Sequence, residues 1–263
     1  MINPLKLDRM RLPLTCLAIL AVGGLIGAWG MRLLDNATHA VRSDAVDGRF
    51  IEDFFGLPLV GDPSLVSPCW SIRSTEHFED APIRIVAYQD FRCPDCLYLF
   101  RQLQQLEREF AGKINVAFQF FPLEATCNTV VEKDLHPGAC ELSWIAAYDP
   151  EKFKAIHDEI WENFSSGRSP EWRRELAARH GVSSALTDPG VRETVGRIIA
   201  TGAEYEKTSE RFSHGIRSTP TMILNGRLVI GTFPLEQLRS IFQALVDDKE
   251  RGTRRFLENW EKR

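Results

Sequence analysis

The sequence predicts an α/β fold with a helical insertion, preceded by one N-terminal transmembrane helix. Apolar runs at 82–88 and 114–121 flank an amphipathic helix, which is the pattern of a β-α-β unit with parallel strands. Helical patterns continue over 140–213, and two short apolar runs joined by Asn225-Gly226 predict a closing hairpin. The chain has 263 residues, of which 44% are apolar and 26% charged, and this is enough for one sizeable core.

The charge balance limits the classes of partner. The formal net charge is -4, and the chain has no block of Lys and Arg residues. Binding of nucleic acid usually depends on a basic patch. We therefore expect no nucleic acid partner and expect proteins as substrates.

Residues 1–34 are predicted to form a cytoplasmic N-terminus and a membrane anchor. The run at 12–31 contains no acidic or basic residue, and at about 1.5 Å per residue it can cross a bilayer core of roughly 30 Å. A cleaved signal peptide is the alternative, with a small-residue cleavage site at 38–40. The apolar run exceeds the usual signal-peptide core of about 7–15 residues, which favours the anchor.

Basic residues predict the orientation of this anchor. Lys6, Arg9 and Arg11 precede the apolar run, whereas Arg32 follows it. The excess of basic residues before the run predicts a cytoplasmic N-terminus, with the rest of the chain on the extracytoplasmic, periplasmic side. We therefore expect a single-pass protein of the cell membrane.

Residues 35–80 are predicted to be a tether and a strap on the domain. Gly and Pro residues recur through this segment, which is too broken for a long helix or a confident strand pair. Cys69 has no obvious partner nearby, and a buried free thiol is favoured over pairing with another protein or an unusual partner. The sequence assigns no role to Cys69 or to Cys16.

The domain proper is predicted to occupy 81–263. The run at 82–88 is almost continuously apolar, as in a central strand that is covered on both faces. In the helical insertion, a capping residue precedes proline at 169–170 and at 188–189, which indicates two helix starts. The helix after the first strand has one apolar stripe for packing on the sheet, formed by Leu99, Leu103, Leu106 and Phe110.

A C-x-x-C pair follows the first strand. Two residues separate Cys93 from Cys96, and Pro94 occupies what would be the first helical position. This places Cys93 at a helix N-terminus, where free N–H groups and the helix dipole favour a thiolate. The chemistry indicated is disulfide exchange, with Pro94 and the charged neighbours Arg92 and Asp95 expected to tune the pair.

A zinc half-site or a plain structural disulfide is the alternative to redox chemistry. Zinc would require a second C-x-x-C or a His pair at ligand spacing, and we find neither in the sequence. A non-catalytic protein that holds copper or another soft metal through the pair is an alternative from a different class. We favour a redox-active pair, which stores the electrons itself and needs no organic cofactor or metal.

Two segments resemble the DsbA-like branch of the thioredoxin superfamily. The stretch at 84–96 is similar to the active-site entry of that family, and the stretch at 215–226 is similar to its cis-proline loop with the strand and turn that follow. The resemblance covers roughly 75–250, the size of one domain. It implies a thioredoxin-like fold in which Cys93 attacks and Cys96 resolves the mixed disulfide.

The same resemblance implies a role for the loop that precedes the hairpin. It implies a cis peptide bond between Thr219 and Pro220, in a loop that faces the reactive cysteine and pairs its backbone with the substrate chain. Both residues are therefore expected to bind substrate rather than to transfer electrons. The copper hypothesis does not require such a loop.

One position departs from the family pattern. DsbA has an acidic residue six positions before its first active-site cysteine, where this chain has Ala87. Here Asp90 lies three positions before Cys93 instead. We therefore expect proton handling to differ from that of DsbA.

A second cysteine pair, Cys127 and Cys140, lies downstream. The pattern F-P-L, then C-N, then H-P-x-A-C over 121–140 resembles thioredoxin-like domains found beside or fused to vitamin K epoxide reductase homologues, in which this pair is a second disulfide. A structural disulfide is favoured, and an electron-relay pair is an alternative. Zinc binding by the pair together with His136 is a third alternative, but it lacks a fourth nearby ligand.

These patterns together predict a membrane-anchored, extracytoplasmic thiol-disulfide oxidoreductase that acts on protein cysteines, in the manner of a DsbA-like oxidase. A disulfide reductase or isomerase is the alternative within the same class. The resemblance also implies a membrane redox partner, such as a quinone-linked protein similar to vitamin K epoxide reductase.

Overall fold

The computed structural model describes residues 48–205 and 215–260, with side chains described as far as 249. The predicted membrane anchor at 12–31 lies outside these residues. Within the two described ranges, no helix combines the length and the apolar character that crossing a bilayer requires. The strands and helices named below all belong to the compact unit Ile51–Arg263.

The central sheet contains the strands β1 (Trp70–Arg73), β2 (Ile83–Gln89), β3 (Ile114–Phe120), β4 (Thr221–Leu224) and β5 (Arg227–Ile230). Their order across the sheet is β1-β3-β2-β4-β5. β2 and β3 are parallel, and the other neighbours are antiparallel. The connection from β2 to β3 runs through the helix α1 (Pro94–Glu109), as a parallel pair requires. The predicted β-α-β unit is therefore confirmed.

Further helices surround the sheet: α2 (Ala139–Ala147), α3 (Phe153–Glu162), α4 (Pro170–Arg179), α5 (Pro189–Glu204) and α6 (Leu235–Trp260). The helices α2 to α5 lie between β3 and β4, in the region predicted as a helical insertion. Two of them have side-chain caps at the predicted starts. Ser169 Oγ accepts a hydrogen bond from the Trp172 N–H, and the Asp188 carboxylate accepts from the N–H groups of Gly190 and Val191.

The strand β1 lies in the segment 35–80, for which the sequence indicates no confident strand. It pairs antiparallel with β3 and forms an edge of the sheet, so part of the predicted strap belongs to the sheet itself. The buried Asn115 of β3 holds the chain after β1, because its Oδ1 accepts from the N–H groups of Ser74 and Thr75. The four residues of β1 are too few to show an alternating pattern, and the Asn115 side chain that holds Thr75 after the strand lies 40 positions further along the chain.

A two-residue turn joins β4 and β5, as predicted. Asn225 and Gly226 have φ angles of 46° and 74°, the positive values that a type I′ hairpin turn needs at both positions. The Asn225 side chain also fastens the turn to β2. Its Oδ1 accepts from the Arg84 N–H at 2.8 Å, and its Nδ2 donates to the Pro82 carbonyl at 2.8 Å. The hairpin is therefore held beside the central strand.

An aromatic cluster joins the segment before α1 to the helical insertion. The Phe91 ring stacks on Phe118 of β3, with ring centroids 4.9 Å apart, and lies 5.2 Å from Trp161 of α3. His157 is buried in the same cluster, where burial lowers its pKa, and its Nε2 accepts from Trp161 Nε1 at 3.1 Å. The chain that carries the C-x-x-C pair is thus packed against both the sheet and the insertion.

Candidate active site

Cys93 and Cys96 lie at the start of α1, shortly after β2 ends. Cys93 is the N-cap residue with an extended backbone conformation, and Pro94 occupies the first turn of the helix. Both cysteines are free thiols in the structure. Cys93 is 5% exposed, whereas Cys96 is fully buried. Of the two sulfurs, that of Cys93 is therefore the one that a partner's thiol can approach.

The loop before β4 faces Cys93. The Thr219–Pro220 peptide bond is cis. The Thr219 carbonyl accepts a hydrogen bond from the Cys93 thiol, with the sulfur and oxygen atoms 3.4 Å apart. The two segments that carry the family resemblance are therefore in direct contact in the fold.

The two cysteines differ in acidity. The pKa of Cys93 is lowered to about 6, mainly by a hydrogen bond with the Cys96 side chain and further by the Cys96 N–H, the Thr219 side chain and the Asp95 N–H, against the effect of burial. The pKa of Cys96 is raised well above that of an ordinary thiol, because burial penalises its thiolate. At neutral pH the reduced pair therefore holds a thiolate on Cys93 and a thiol on Cys96.

The residues predicted to tune the pair lie in different surroundings. Pro94 and Asp95 are exposed in the first turn of α1. Arg92 is half-buried, and its Nη1 donates to the Phe164 carbonyl at 3.3 Å while the guanidinium lies over the Phe164 ring. The charge of Arg92 is thus directed towards the helical insertion. The influence of these residues on the reduction potential stays a prediction.

Asp90 and His136 form a pair beside the active-site cysteines. The predicted site does not include this pair. The Asp90 carboxylate is fully buried and accepts hydrogen bonds from the N–H groups of Arg92, at 2.6 Å, and Leu123, at 2.7 Å. Its Oδ2 lies 2.7 Å from Nδ1 of His136, and this hydrogen bond raises the pKa of the imidazole. The sequence signal for Asp90 is its place shortly before Cys93. Nothing in the sequence connects it with a histidine 46 positions later.

Cys127 and Cys140 form a disulfide that closes the segment carrying His136. Glu124 fastens this segment, since its Oε2 accepts from the Cys140 N–H at 2.8 Å. The sulfurs of a disulfide are not thiolates and do not ligate zinc in that form. Among the residues described, no cluster of three or more His, Cys, Asp or Glu side chains is arranged to hold a metal ion.

Cys69 lies apart from this site. It is a buried free thiol just before β1, and burial raises its pKa to about 11. A thiol of that acidity is a poor nucleophile at neutral pH. Cys16 lies outside the residues that the structure describes.

Comparison with known sequences points to the same chemistry. A family model described as Thioredoxin matches residues 78–244. The Probable disulfide bond formation protein D of Bacillus cereus is 31% identical to this chain over 157 residues, which cover 57% of this chain and 68% of the relative. The protein of the same name from Bacillus anthracis is 30% identical over 156 residues, with the same coverage of both chains.

Among solved structures, oxidised BdbD from Bacillus subtilis matches with a TM-score of 0.50 and 14% sequence identity, covering 72% of this chain and 98% of that chain. At so low an identity the match shows the fold alone. That fold is the thioredoxin-like fold predicted from the sequence. The family model spans more than half of the chain, and the Bacillus cereus relative is covered over more than two thirds of its length. The chain therefore belongs to the thioredoxin family, in its DsbA-like branch of protein disulfide oxidoreductases.

Proposed function

We propose that this chain is an extracytoplasmic disulfide oxidase that donates the Cys93–Cys96 disulfide to cysteine pairs in other proteins. The observation that carries the proposal is the difference in acidity between the two thiols. Contacts that stabilise the Cys93 thiolate stabilise the reduced enzyme, and a stabilised reduced form makes the disulfide a stronger oxidant. The name of the two Bacillus relatives, disulfide bond formation protein D, supports the same direction.

The proposed reaction has two exchange steps. A substrate thiolate attacks Cys93 Sγ of the oxidised enzyme, which breaks the S–S bond and leaves the electron pair on Cys96, where a proton is taken up. A second substrate thiolate then attacks the substrate sulfur of the mixed disulfide, and Cys93 departs as a thiolate. The substrate loses two electrons, which the enzyme holds as one thiolate and one thiol. The lowered pKa of Cys93 makes it a good leaving group in the second step.

Thr219 and Pro220 are proposed to bind the substrate chain. The Thr219 carbonyl lies against Cys93, so a chain attached to that sulfur passes this loop. The Thr219 hydroxyl is buried and has no hydrogen-bond partner within the described residues other than the cysteine itself. It is therefore available to donate to the Cys93 thiolate once the thiol proton has left.

The proposed compartment and redox partner rest on the sequence. The apolar run at 12–31 is proposed to anchor the chain in the cell membrane with the domain on the periplasmic side, where a disulfide such as Cys127–Cys140 persists. The cysteine pair stores the electrons, so the proposed reaction uses no organic cofactor or metal. Regeneration of the Cys93–Cys96 disulfide is proposed to depend on a quinone-linked membrane protein similar to vitamin K epoxide reductase.

Disulfide transfer to a reduced, unfolded ribonuclease tests the proposal. The oxidised full-length protein is expected to form one ribonuclease disulfide per molecule, and Cys93→Ser is expected to form none. Cys69→Ser is the matched control, because that thiol lies outside the site, and it should transfer as the unaltered protein does. Equilibration with glutathione gives the reduction potential of the Cys93–Cys96 pair, which distinguishes an oxidase from a reductase. The reduction potential is about −120 mV for DsbA and about −270 mV for thioredoxin. A potential at the thioredoxin end would overturn the oxidase in favour of a reductase.

A further inference from the structure

His136 adjoins the active site, and the proposed reaction gives it no role. Its Nδ1 lies 2.7 Å from Oδ2 of Asp90, at the junction of β2 and α1. The imidazole is 20% exposed, whereas the carboxylate is 0% exposed. The imidazole therefore contacts the solvent on one side and, on the other, a carboxylate that water does not reach.

The backbone of Asp90 contacts both active-site cysteines. Its carbonyl accepts from the Cys93 N–H at 3.0 Å, and its N–H donates to Cys96 Sγ at 3.5 Å. The side chain of the same residue holds the imidazole. The position of the ring relative to the reactive sulfurs is thus fixed through a single residue.

The segment that carries the imidazole is itself held in place. The N–H groups of Leu135 and His136 both donate to the Leu123 carbonyl, at 3.0 and 3.1 Å. The N–H of Leu123 in turn donates to the Asp90 carboxylate at 2.7 Å. Together with the second disulfide, these bonds make the imidazole a fixed part of the site.

Three charged or titratable groups of the segment 90–93 act on the charge of the imidazole, namely Asp90, Arg92 and Cys93. The hydrogen bond with Asp90 is the largest cause of the raised pKa of His136, and burial opposes it. The negative charges of Asp90 and of the Cys93 thiolate raise this pKa further, and the positive charge of Arg92 lowers it. On its own segment, the carboxylates of Glu124 and Asp134 are engaged by backbone N–H groups. A positive charge on the ring and a negative charge on the Cys93 sulfur therefore favour each other.

We infer that His136 is a positioning residue whose imidazolium, held by Asp90, stabilises the Cys93 thiolate and couples reduction of the cysteine pair to proton uptake. This inference rests on the proposed function, which identifies Cys93 and Cys96 as the reacting pair. When two glutathione thiols reduce the disulfide, its S–S bond breaks, one S–S bond forms in oxidised glutathione, and the two thiols release two protons. Cys96 takes up one proton, and the charge on Cys93 draws a fraction of a second one onto the imidazole.

The first test uses the unaltered protein. The ring signal of His136 is followed by NMR from about pH 5 to about pH 9 in the oxidised and in the reduced protein. If the imidazolium stabilises the thiolate, the thiolate must stabilise the imidazolium by the same free energy. The pKa of His136 is therefore expected to be higher in the reduced protein. Equal pKa values in the two redox states would overturn the inference.

The second test is the glutathione equilibrium of His136→Gln, which retains a hydrogen-bond donor for Asp90 but carries no charge. Loss of the imidazolium charge near the start of α1 is expected to lower the equilibrium constant for reduction of the Cys93–Cys96 disulfide by glutathione about two- to fivefold at about pH 6. At about 29.6 mV per tenfold, this corresponds to a potential lower by about 9–21 mV. At a pH above the raised pKa of the His136 imidazole, where the ring is neutral in the unaltered protein, the two proteins should converge.

His180→Gln is the matched control. His180 also lies on a carboxylate, with Nε2 2.6 Å from Oε2 of Glu159, and is 18% exposed. This variant should keep the equilibrium constant of the unaltered protein at every pH. A shift in His136→Gln that does not change with pH, or an equal shift in His180→Gln, would assign the effect to packing and overturn the inference.

The inference and the proposed function fail in different experiments. Loss of the pH-dependent coupling with normal disulfide transfer to ribonuclease would remove the role of His136 alone. Normal coupling without transfer would remove the oxidase and leave the role of His136 in place.

Discussion

The Thr219 carbonyl oxygen lies 3.4 Å from the Cys93 sulfur, although 126 residues separate the two in the chain. The contact depends on the antiparallel pairing of β4 with β2, in which Thr221 lies opposite Tyr88. This pairing brings the start of one strand to the end of the other. The two parts of the site therefore meet through the sheet, and the sulfur that meets the loop is the one expected to react with substrates.

Variants of the two active-site cysteines should trap substrates unequally. Cys96→Ser is expected to accumulate mixed disulfides on Cys93, because the Cys93 thiolate attacks a disulfide of another protein, one sulfur of that disulfide leaves as a thiolate, and no Cys96 sulfur resolves the product. Cys93→Ser is expected to trap none, because Cys96 is fully buried and holds its proton. Non-reducing electrophoresis of cell extracts measures both. Equal trapping by the two variants would refute the assignment of roles.

The charge of Asp95 should lower the oxidising power of the pair. Its carboxylate is exposed in the first turn of α1 and opposes a thiolate at the adjacent Cys93. Exposed helix-end charges contribute about 0.3–1 kcal/mol, so Asp95→His is expected to lower the pKa of Cys93 and raise the potential by about 10–40 mV. Thiolate absorbance and glutathione equilibration measure the two quantities. Asp95→Glu keeps the charge and should change neither, and a fall in potential for Asp95→His would contradict the argument.

The second disulfide should survive conditions that reduce the active-site pair. Cys140 is 1% exposed, which restricts attack by an external thiolate, and a closed loop of this length adds roughly 3 kcal/mol of stability. After mild reduction and alkylation, mass spectrometry should find label on Cys93 and none on Cys127 or Cys140. Equally rapid labelling of all of them would remove the structural interpretation and favour an electron-relay pair.

A methyl group at Gly202 should destabilise the fold. A Cβ there would lie 2.6 Å from Cε1 of Tyr88 in β2, so α5 packs on the sheet more closely than alanine permits. Gly202→Ala is expected to lower the free energy of unfolding by about 1–3 kcal/mol. A Cβ at Gly196 of the same helix would meet no described atom of another element within 4 Å, so Gly196→Ala should be neutral or stabilising by up to about 1 kcal/mol. Urea unfolding distinguishes the two, and equal effects would show that the contact with Tyr88 is irrelevant.

A reporter enzyme fused after Arg263 should be active only outside the cytoplasm. The basic residues before the apolar run at 12–31 predict this orientation. Alkaline phosphatase, which needs disulfides, and a cytoplasm-dependent reporter at the same fusion point form a matched pair. Activity of the cytoplasmic reporter alone would overturn the proposed topology and the proposed compartment.

The parts of the fold with strong local signals were predictable from the sequence. The apolar run of β2 has the length and continuity of a buried strand, and the stripe of α1 is long enough to show the helical period. Together they predict the β-α-β unit. Asn225-Gly226 carries its own turn chemistry, and the proline after each of Ser169 and Asp188 marks a helix start.

Features that depend on distant side chains were not predictable in this way. β1 owes its place to pairing with β3 and to the Asn115 side chain, neither of which a four-residue pattern reveals. The link between Asp90 and His136 likewise arises only when the segment closed by the second disulfide folds against the end of β2. Local periodicity cannot report a hydrogen bond across 46 positions.

The strand order also has a consequence for how the enzyme is made. β2 is an interior strand of the finished sheet, yet its neighbour β4 is synthesised after the whole helical insertion. A growing chain therefore carries a reactive cysteine at the end of a strand with one open edge before the hairpin exists. The contact with Thr219 forms only when the C-terminal part of the domain has been synthesised. The complete site, with Thr219 against Cys93, is thus assembled only after almost the entire domain has been produced.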